Sequence, residues 1–301
     1  MEVTFFGIGS ATPHLERHPS ACLVNLGNEY VLIDCGEATQ YRFLAHKVKH
    51  TRIRTICITH LHGDHYFGLI GLLSSMNLNQ RKEPMRIFGP QGLEEIMNLQ
   101  FEASGTKIGF PLSFHTIDTL TSSEVFNNGH FSIRTLPLLH RVACAGYMIK
   151  ELNHKRKILK ELLPTDFPIP YFKMLQNGED VYDELSGKTY KNSEYTRNGP
   201  QGKSFAYCSD TSFNPTLVPL VTGVDLLYHE STFTNELVDR AAKTQHSTAK
   251  QAAIIARDAK VKKLMLGHFS SRYKTLELFL EEAQAVFSNS QIIQQGEICD
   301  V

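Results

Sequence analysis

The stretch Thr59-His60-Leu61-His62-Gly63-Asp64-His65 sets three imidazoles and a carboxylate within six positions, directly after the apolar run at 53–58. An apolar run of this length reads as a buried strand, and the stretch 66–79 behind the cluster has helical spacing. The cluster therefore sits on a strand-to-helix loop, with Gly63 expected to let the chain turn sharply. On extended backbone His60 and His62 are two apart and point to the same side. Asp64 and His65 fall past the turn, within reach of a second ion. One histidine in a loop reads as a hydrogen-bonding group; three with an aspartate at this spacing read as a metal site.

Such a site needs ligands from elsewhere in the chain, and strand-like runs supply them at their ends. His140 ends the run 131–139, Asp210 the run 204–209, His229 and Glu230 the run 224–228, and His268 the run 263–267. Strand-end loops are where binding and catalytic groups are carried. These candidates are all imidazoles and carboxylates, which suits a zinc hydrolase better than a thiolate structural site. Cys22, Cys35, Cys57, Cys144, Cys208 and Cys299 are scattered, mostly in strand-like runs, and read as reduced core thiols of a cytosolic protein.

The rest of the chain alternates in the same way. Residues 22–27 and 30–34 flank Gly27-Asn28, a hairpin signal. Segments 38–47, 66–79, 92–103, 248–260 and 275–287 have helical spacing, and strand, helix and strand in turn imply an α/β layered domain. With 301 residues, 42% of them hydrophobic, the chain can bury a sizeable core. No apolar run approaches the ~18 residues of a membrane span. The opening Met1-Glu2-Val3-Thr4-Phe5-Phe6 lacks a basic region, so a secretory signal is not expected. One stretch breaks the pattern: 151–202 carries Pro164, Pro168, Pro170, Gly178, Gly187, Gly199, Pro200 and Gly202. So long an irregular segment inside a domain reads as functional or flexible. Formal charge is zero, with 31 basic and 31 acidic side chains, so any nucleic-acid binding must come from local charge. Lys150, Lys155, Arg156, Lys157, Lys160 and Lys173, against Glu151, Glu161 and Asp166, supply such a patch at the start of that stretch.

The ordered set Asp34, His60/His62/Asp64/His65, His140, Asp210, His229-Glu230 and His268 resembles the metallo-β-lactamase superfamily. Within it, Asp34 to Gln40, Ser209-Asp210-Thr211, His229 to Thr232, His246-Ser247-Thr248 and Gly267 to Tyr273 resemble the short form of the ribonuclease Z family, over nearly the whole chain. The resemblance implies an αββα sandwich over 1–301, with a protruding, flexible arm at about 151–202 that grips the tRNA body through Lys155, Arg156, Lys157 and Lys160. It implies a cytoplasmic endoribonuclease, expected to be a homodimer and not bound to membrane. Such an enzyme removes 3′ trailers from precursor tRNA and leaves a 3′-hydroxyl on the tRNA and a 5′-phosphate on the trailer.

It also implies two zinc ions per chain: His60, His62 and His140 on one, Asp64, His65 and His268 on the other, with Asp210 bridging. Asp64 would orient or deprotonate the attacking water. His246 would protonate the leaving 3′-oxygen, with Glu230 aligning its ring and raising its pKa. Taken alone, His246 also reads as a surface histidine ahead of a helix capped by Ser247 or Thr248. Asp34 would hydrogen-bond a ligand histidine from behind, and Arg272 would contact substrate phosphate or form a structural ion pair.

Three positions depart from the family pattern. Pro13-His14-Leu15-Glu16-Arg17-His18 keeps only the Pro and Arg of a loop associated with sensing a CCA end, Ser209 replaces a glycine, and Ile169-Pro170-Tyr171-Phe172-Lys173 replaces the usual arm tip. The rival reading is another hydrolase of this fold, acting on small phosphodiesters or sulfate esters. A binding-only relative would have no use for the Glu230/His246 pair.

Overall fold

Alternation along Tyr30–Ile33 sends Val31 and Ile33 to one apolar cluster and Leu32 to another. The same split recurs at Phe5 and Phe6, Ile56 and Cys57, and Ile87 and Phe88. A sheet with two apolar faces must be covered on both. In the computed structural model of the protein, which describes residues 1–152, 155–199 and 201–301, one face packs on helices Thr39–Ala45, Leu69–Leu78 and Leu93–Ala103 through Phe43, Leu72, Met76, Met97 and Phe101. The other meets a second sheet, where Phe5 stacks on Tyr228 at 5.3 Å and meets Phe205 edge-on at 6.1 Å. Helices Ala249–Asp258 and Glu277–Gln284 close the far side of that sheet with Ala252, Ala253, Ala256, Phe279 and Ala283. The result is an αββα sandwich.

Each sheet has seven strands. The first runs Ile298–Asp300, Glu2–Gly7, Ala21–Asn25, Tyr30–Ile33, Ile53–Cys57, Met85–Gly89, Leu112–Thr116. The second runs Ser290–Ile292, Lys263–Gly267, Leu226–Glu230, Ser204–Cys208, Ala145–Glu151, Phe131–Pro137, Glu124–Asn127. The expected hairpin joins Ala21–Asn25 to Tyr30–Ile33, with Gly27 at φ 82°. Tyr30–Ile33, Ile53–Cys57 and Met85–Gly89 are parallel to one another, as are Ser204–Cys208, Leu226–Glu230 and Lys263–Gly267. Parallel strands end on one edge, so the loops that follow them share a rim, where α/β sheets place their crevices. That rim is tied across the sandwich by Ala145 N–H donating to Thr59 O at 3.1 Å and the Tyr147 hydroxyl donating to Ile58 O at 2.8 Å.

The sequence expectations change at three places. The helix expected over 66–79 is split into Gly63–Tyr66 and Leu69–Leu78. Gly63 is not needed for its backbone angle: it opens the short helix, and a Cβ there would lie 2.2 Å from the Phe67 ring. The stretch 151–202 is more ordered than its Pro/Gly content suggested. It holds helix Ile169–Asn177, hairpin Val181–Asp183/Lys188–Tyr190 and the pair Lys157–Ile158/Thr196–Arg197, packed on a small core of Phe167, Leu175, Val181 and Tyr190. Pro200, counted among its breakers, lies outside the described residues.

Candidate metal centre

Asp34 and His268 each stand just past a strand end with φ near 60°, at 57° and 60°. A non-glycine residue rarely adopts this left-handed region, and it persists where the surroundings over-determine it. There it turns the chain over the rim. His60, His62, Asp64 and His65 arrive from the end of Ile53–Cys57, His140 from Phe131–Pro137 and Asp210 from Ser204–Cys208.

Their donor atoms gather into two groups. In the first, His60 Nε2 lies 3.0 Å from His62 Nδ1 and 3.6 Å from Asp210 Oδ2, and His140 Nε2 lies 3.2 Å from His62 Nδ1 and 3.8 Å from Asp210 Oδ2. In the second, Asp64 Oδ2 lies 3.3 Å from His65 Nε2 and 3.4 Å from His268 Nε2, while Asp210 Oδ1 lies 3.5 Å and 3.2 Å from the same two nitrogens. Asp210 thus turns one oxygen to each group. Tetrahedral zinc with bonds of about 2.0–2.1 Å sets its ligands about 3.3 Å apart, so both groups have the right edge lengths. Two of these atoms, His65 Nε2 and Asp210 Oδ1, are buried without a hydrogen-bond partner among the described residues. Burying such atoms unpartnered is costly, and a cation between them removes the cost. The residues fit a metal pair.

Oxygen atoms behind the rings fix which nitrogen is bare. The Nδ1 atoms of His65, His60, His140 and His268 lie 2.7 Å from Asp34 Oδ2, 3.0 Å from Thr59 Oγ1, 2.9 Å from Gln245 O and 2.9 Å from Thr232 Oγ1. Held this way, each ring presents Nε2 to the site. Burial and the neighbouring rings push the His60 imidazole well below its ordinary range; burial, His140 and Arg141 bring His62 to about 4. Both are neutral donors, as metal ligation requires. Burial would raise the Asp64 and Asp210 carboxyls, but the imidazoles of His65 and His268 outweigh it and hold both below the usual carboxylate range.

His246 stands beside the two groups, its Nδ1 2.8 Å from Glu230 Oε1. Burial works to lower its pKa, yet the Glu230 charge and hydrogen bond, then Asp210 and Asp64, push it up to about 9. Thr248, not Ser247, caps the following helix, forming a capping box with Gln251, while the Ser247 hydroxyl donates to Thr211 O at 2.8 Å. The loop carrying His246 is therefore pinned on both sides.

His229 does not join the site. Adjacent residues on a strand face opposite ways, so Glu230 turns to the rim while His229 is buried, with Nδ1 2.7 Å from Glu230 O. Arg272 lines a cleft of about 520 Å³ over the donor groups, together with Arg141, Arg240 and Phe233, which sequence patterns did not single out. Thr59 and Thr232 stand in the quoted motifs, but sequence patterns give them no role of their own, since a threonine beside a ligand carries no signal by itself. Lys155, Lys157 and Lys160 are exposed in the arm. Arg156 is not free: it donates to Thr196 Oγ1 at 2.6 Å and Asn198 Oδ1 at 2.7 Å, holding the arm together. Arg17, retained in the divergent loop, is buried and donates to Tyr273 O at 2.5 Å.

Known proteins share this arrangement. The chain is 46% identical over 295 residues to ribonuclease Z of Cytophaga hutchinsonii, covering 98% of this chain and 94% of that one. It is 37% identical over 300 residues to ribonuclease Z of Bacteroides fragilis, covering 99% and 98%. The crystal structure of human tRNase Z, short form, superposes with a TM-score of 0.72 at 26% identity, over 100% of this chain and 99% of that one. The metallo-β-lactamase fold protein YhfI of Bacillus subtilis shares the fold at a TM-score of 0.69 and 20% identity, over 99% and 98%. A family model described as Anti-Pycsar protein Apyc1 matches residues 1–155. That half contains His60, His62, Asp64, His65 and His140 but not Asp210, Glu230, His246 or His268.

Proposed function

The chain belongs to the ribonuclease Z family, and over residues 1–155 also to the family described as Anti-Pycsar protein Apyc1, and from this premise we propose a two-zinc mechanism for its activity as a tRNA 3′-processing endonuclease. The observation that carries the mechanism is Asp210 turning one oxygen to each donor group, with the Glu230–His246 pair on the lip beside them. His60, His62 and His140 would hold one zinc, Asp64, His65 and His268 the other, and Asp210 would bridge. When bound, such a pair acidifies water and neutralises phosphate oxygens.

The chain's own groups do the rest. Asp64, whose Oδ2 belongs to the second group, can accept a hydrogen bond from the attacking water, orienting it. His246, held protonated by Glu230, gives its proton to the leaving 3′-oxygen, which leaves the 3′-hydroxyl on the tRNA and the 5′-phosphate on the trailer. Arg272 lines the cleft where substrate phosphate would lie. Lys155, Lys157 and Lys160 would grip the tRNA body from the arm, with Arg156 holding the arm in shape. Tyr41, Leu44, Phe67 and Leu78 are exposed, on and around helices Thr39–Ala45 and Leu69–Leu78, and we assign them to the interface of a homodimer. No helix among the described residues is long and apolar enough to cross a membrane. The family's role in tRNA processing supports our assignment of the enzyme to the cytoplasm.

Incubation of the purified, zinc-loaded protein with a 3′-extended tRNA transcript tests the proposal. Cleavage leaving a 3′-hydroxyl on the tRNA supports it. Hydrolysis of a small phosphodiester with the transcript left intact would favour the small-substrate hydrolase.

A further inference from the structure

Two buried carboxylates brace this site by the same device. Asp34 meets His65 Nδ1 directly at 2.7 Å, and the Thr59 hydroxyl, 2.9 Å from Asp34 Oδ1, lies 3.0 Å from His60 Nδ1. Glu230 meets His246 Nδ1 at 2.8 Å, and the Thr232 hydroxyl, 2.9 Å from Glu230 Oε2, lies 2.9 Å from His268 Nδ1. In each case one histidine touches the carboxylate and a second is reached through a threonine.

The chemistry of a hydroxyl makes this arrangement directional. It has one proton to donate and lone pairs to accept with. An ionised carboxylate only accepts, so the Thr232 proton points to Glu230 and its lone pair faces His268. That ring must then carry its proton on Nδ1, which leaves Nε2 bare toward Asp64 and Asp210. Among the described residues, Thr232 Oγ1 is the sole hydrogen-bond partner of His268 Nδ1. Glu230 also accepts the backbone N–H groups of Thr211 and Thr232, at 3.1 Å and 2.9 Å; the first belongs to the peptide bond after Asp210 and steadies that backbone, while neither touches a ligand ring.

We infer that Thr232 is a positioning residue whose hydroxyl couples the Glu230–His246 pair to the metal group containing His268. The inference rests on the two-zinc reading of the site. Its distinctive consequence is that Glu230, which lies in neither donor group, tunes the affinity of the group containing His268 through this hydroxyl.

The test is competition for zinc with a chromophoric chelator, using the full-length protein. Thr232→Val keeps the shape and removes the hydroxyl. It should weaken one of two zinc equivalents by about 10–100-fold, the usual effect of losing a hydrogen bond behind a ligand, and spare the other. Thr232→Ser, which restores the hydroxyl without the methyl, should recover the affinity to within about threefold. Glu230→Gln should weaken the same equivalent, and the double variant with Thr232→Val should lose no more than Thr232→Val alone. Circular dichroism and thermal melting of each metal-free variant separate these effects from misfolding. Unchanged affinity in Thr232→Val, equal losses in the Val and Ser variants, or additive losses in the double variant would each overturn the coupling. A wild-type protein that takes up no zinc would instead overturn the two-zinc reading, and this inference with it.

Discussion

Replacing Glu230 by Gln removes a charge from His246 while keeping a group of similar shape against it. With cations bound, Asp64 and Asp210 are engaged by them, which leaves Glu230 as the carboxylate that raises the pKa, and about 9, set by all three carboxylates together, is its ceiling. At pH 7.5 an imidazole titrating at 6.5 is protonated in about one molecule in eleven, whereas one held at about 9 is protonated in about 97%. With the pKa at that ceiling and a return to 6.5, loss of the Glu230 charge costs about tenfold in rate at pH 7.5 through protonation alone, and only about 1.3-fold at pH 6. The sign follows from the role: a proton donor works below its pKa and fails as pH rises through it. Single-turnover cleavage of a 3′-extended tRNA at saturating zinc, followed across pH, gives the measurement. The wild-type rate should fall in a basic limb at or somewhat below 9, and the Glu230→Gln limb should move toward 6.5, with the two curves converging in acid. Parallel curves offset by a constant factor would refute the reasoning, because Glu230 would then align the ring without controlling its proton.

His246→Ala should lose roughly 10²–10⁴-fold on tRNA but retain its zinc, and should lose far less on a nitrophenyl phosphodiester, whose leaving oxygen needs no proton; equal losses on the two substrates would point to a structural role. Elemental analysis should return about two zinc equivalents per chain, and chelation should abolish cleavage. Replacing Lys155, Lys157 and Lys160 together by Ala should weaken precursor tRNA binding and flatten its salt dependence by about two to three in log–log slope, with small-phosphodiester hydrolysis retained. Arg156 is excluded from that variant because its bonds to Thr196 and Asn198 hold the arm's fold. Leu44→Glu on the exposed face of helix Thr39–Ala45 should shift sedimentation toward monomer, and a variant sedimenting as the wild type does would remove that face as the interface.

Spacing along the chain points to the candidate donors that the fold brings together. His60 and His62 sit two apart, and Asp210, Glu230 and His268 each finish or follow an apolar run, because strands buried on both faces hold few polar residues short of the rim. The capping box at Thr248 and the hairpin at Gly27 are local in the same sense, each set by residues within a few positions. Period two also predicts that His229 and Glu230 part company, but not which of them faces the rim. That choice belongs to the sheet's place between the other sheet and helix Ala249–Asp258. Only the tertiary structure could set His246 Nδ1 against Glu230, sixteen residues away, bring Arg17 to the carbonyl of Tyr273, or lend Arg156 to the arm's interior. The roles of Thr59 and Thr232 are the clearest case. A threonine hydroxyl has no preferred partner until packing excludes water and sets it between a carboxylate and a candidate ligand's imidazole, so its part in the chemistry is decided by burial and not by its neighbours in the chain.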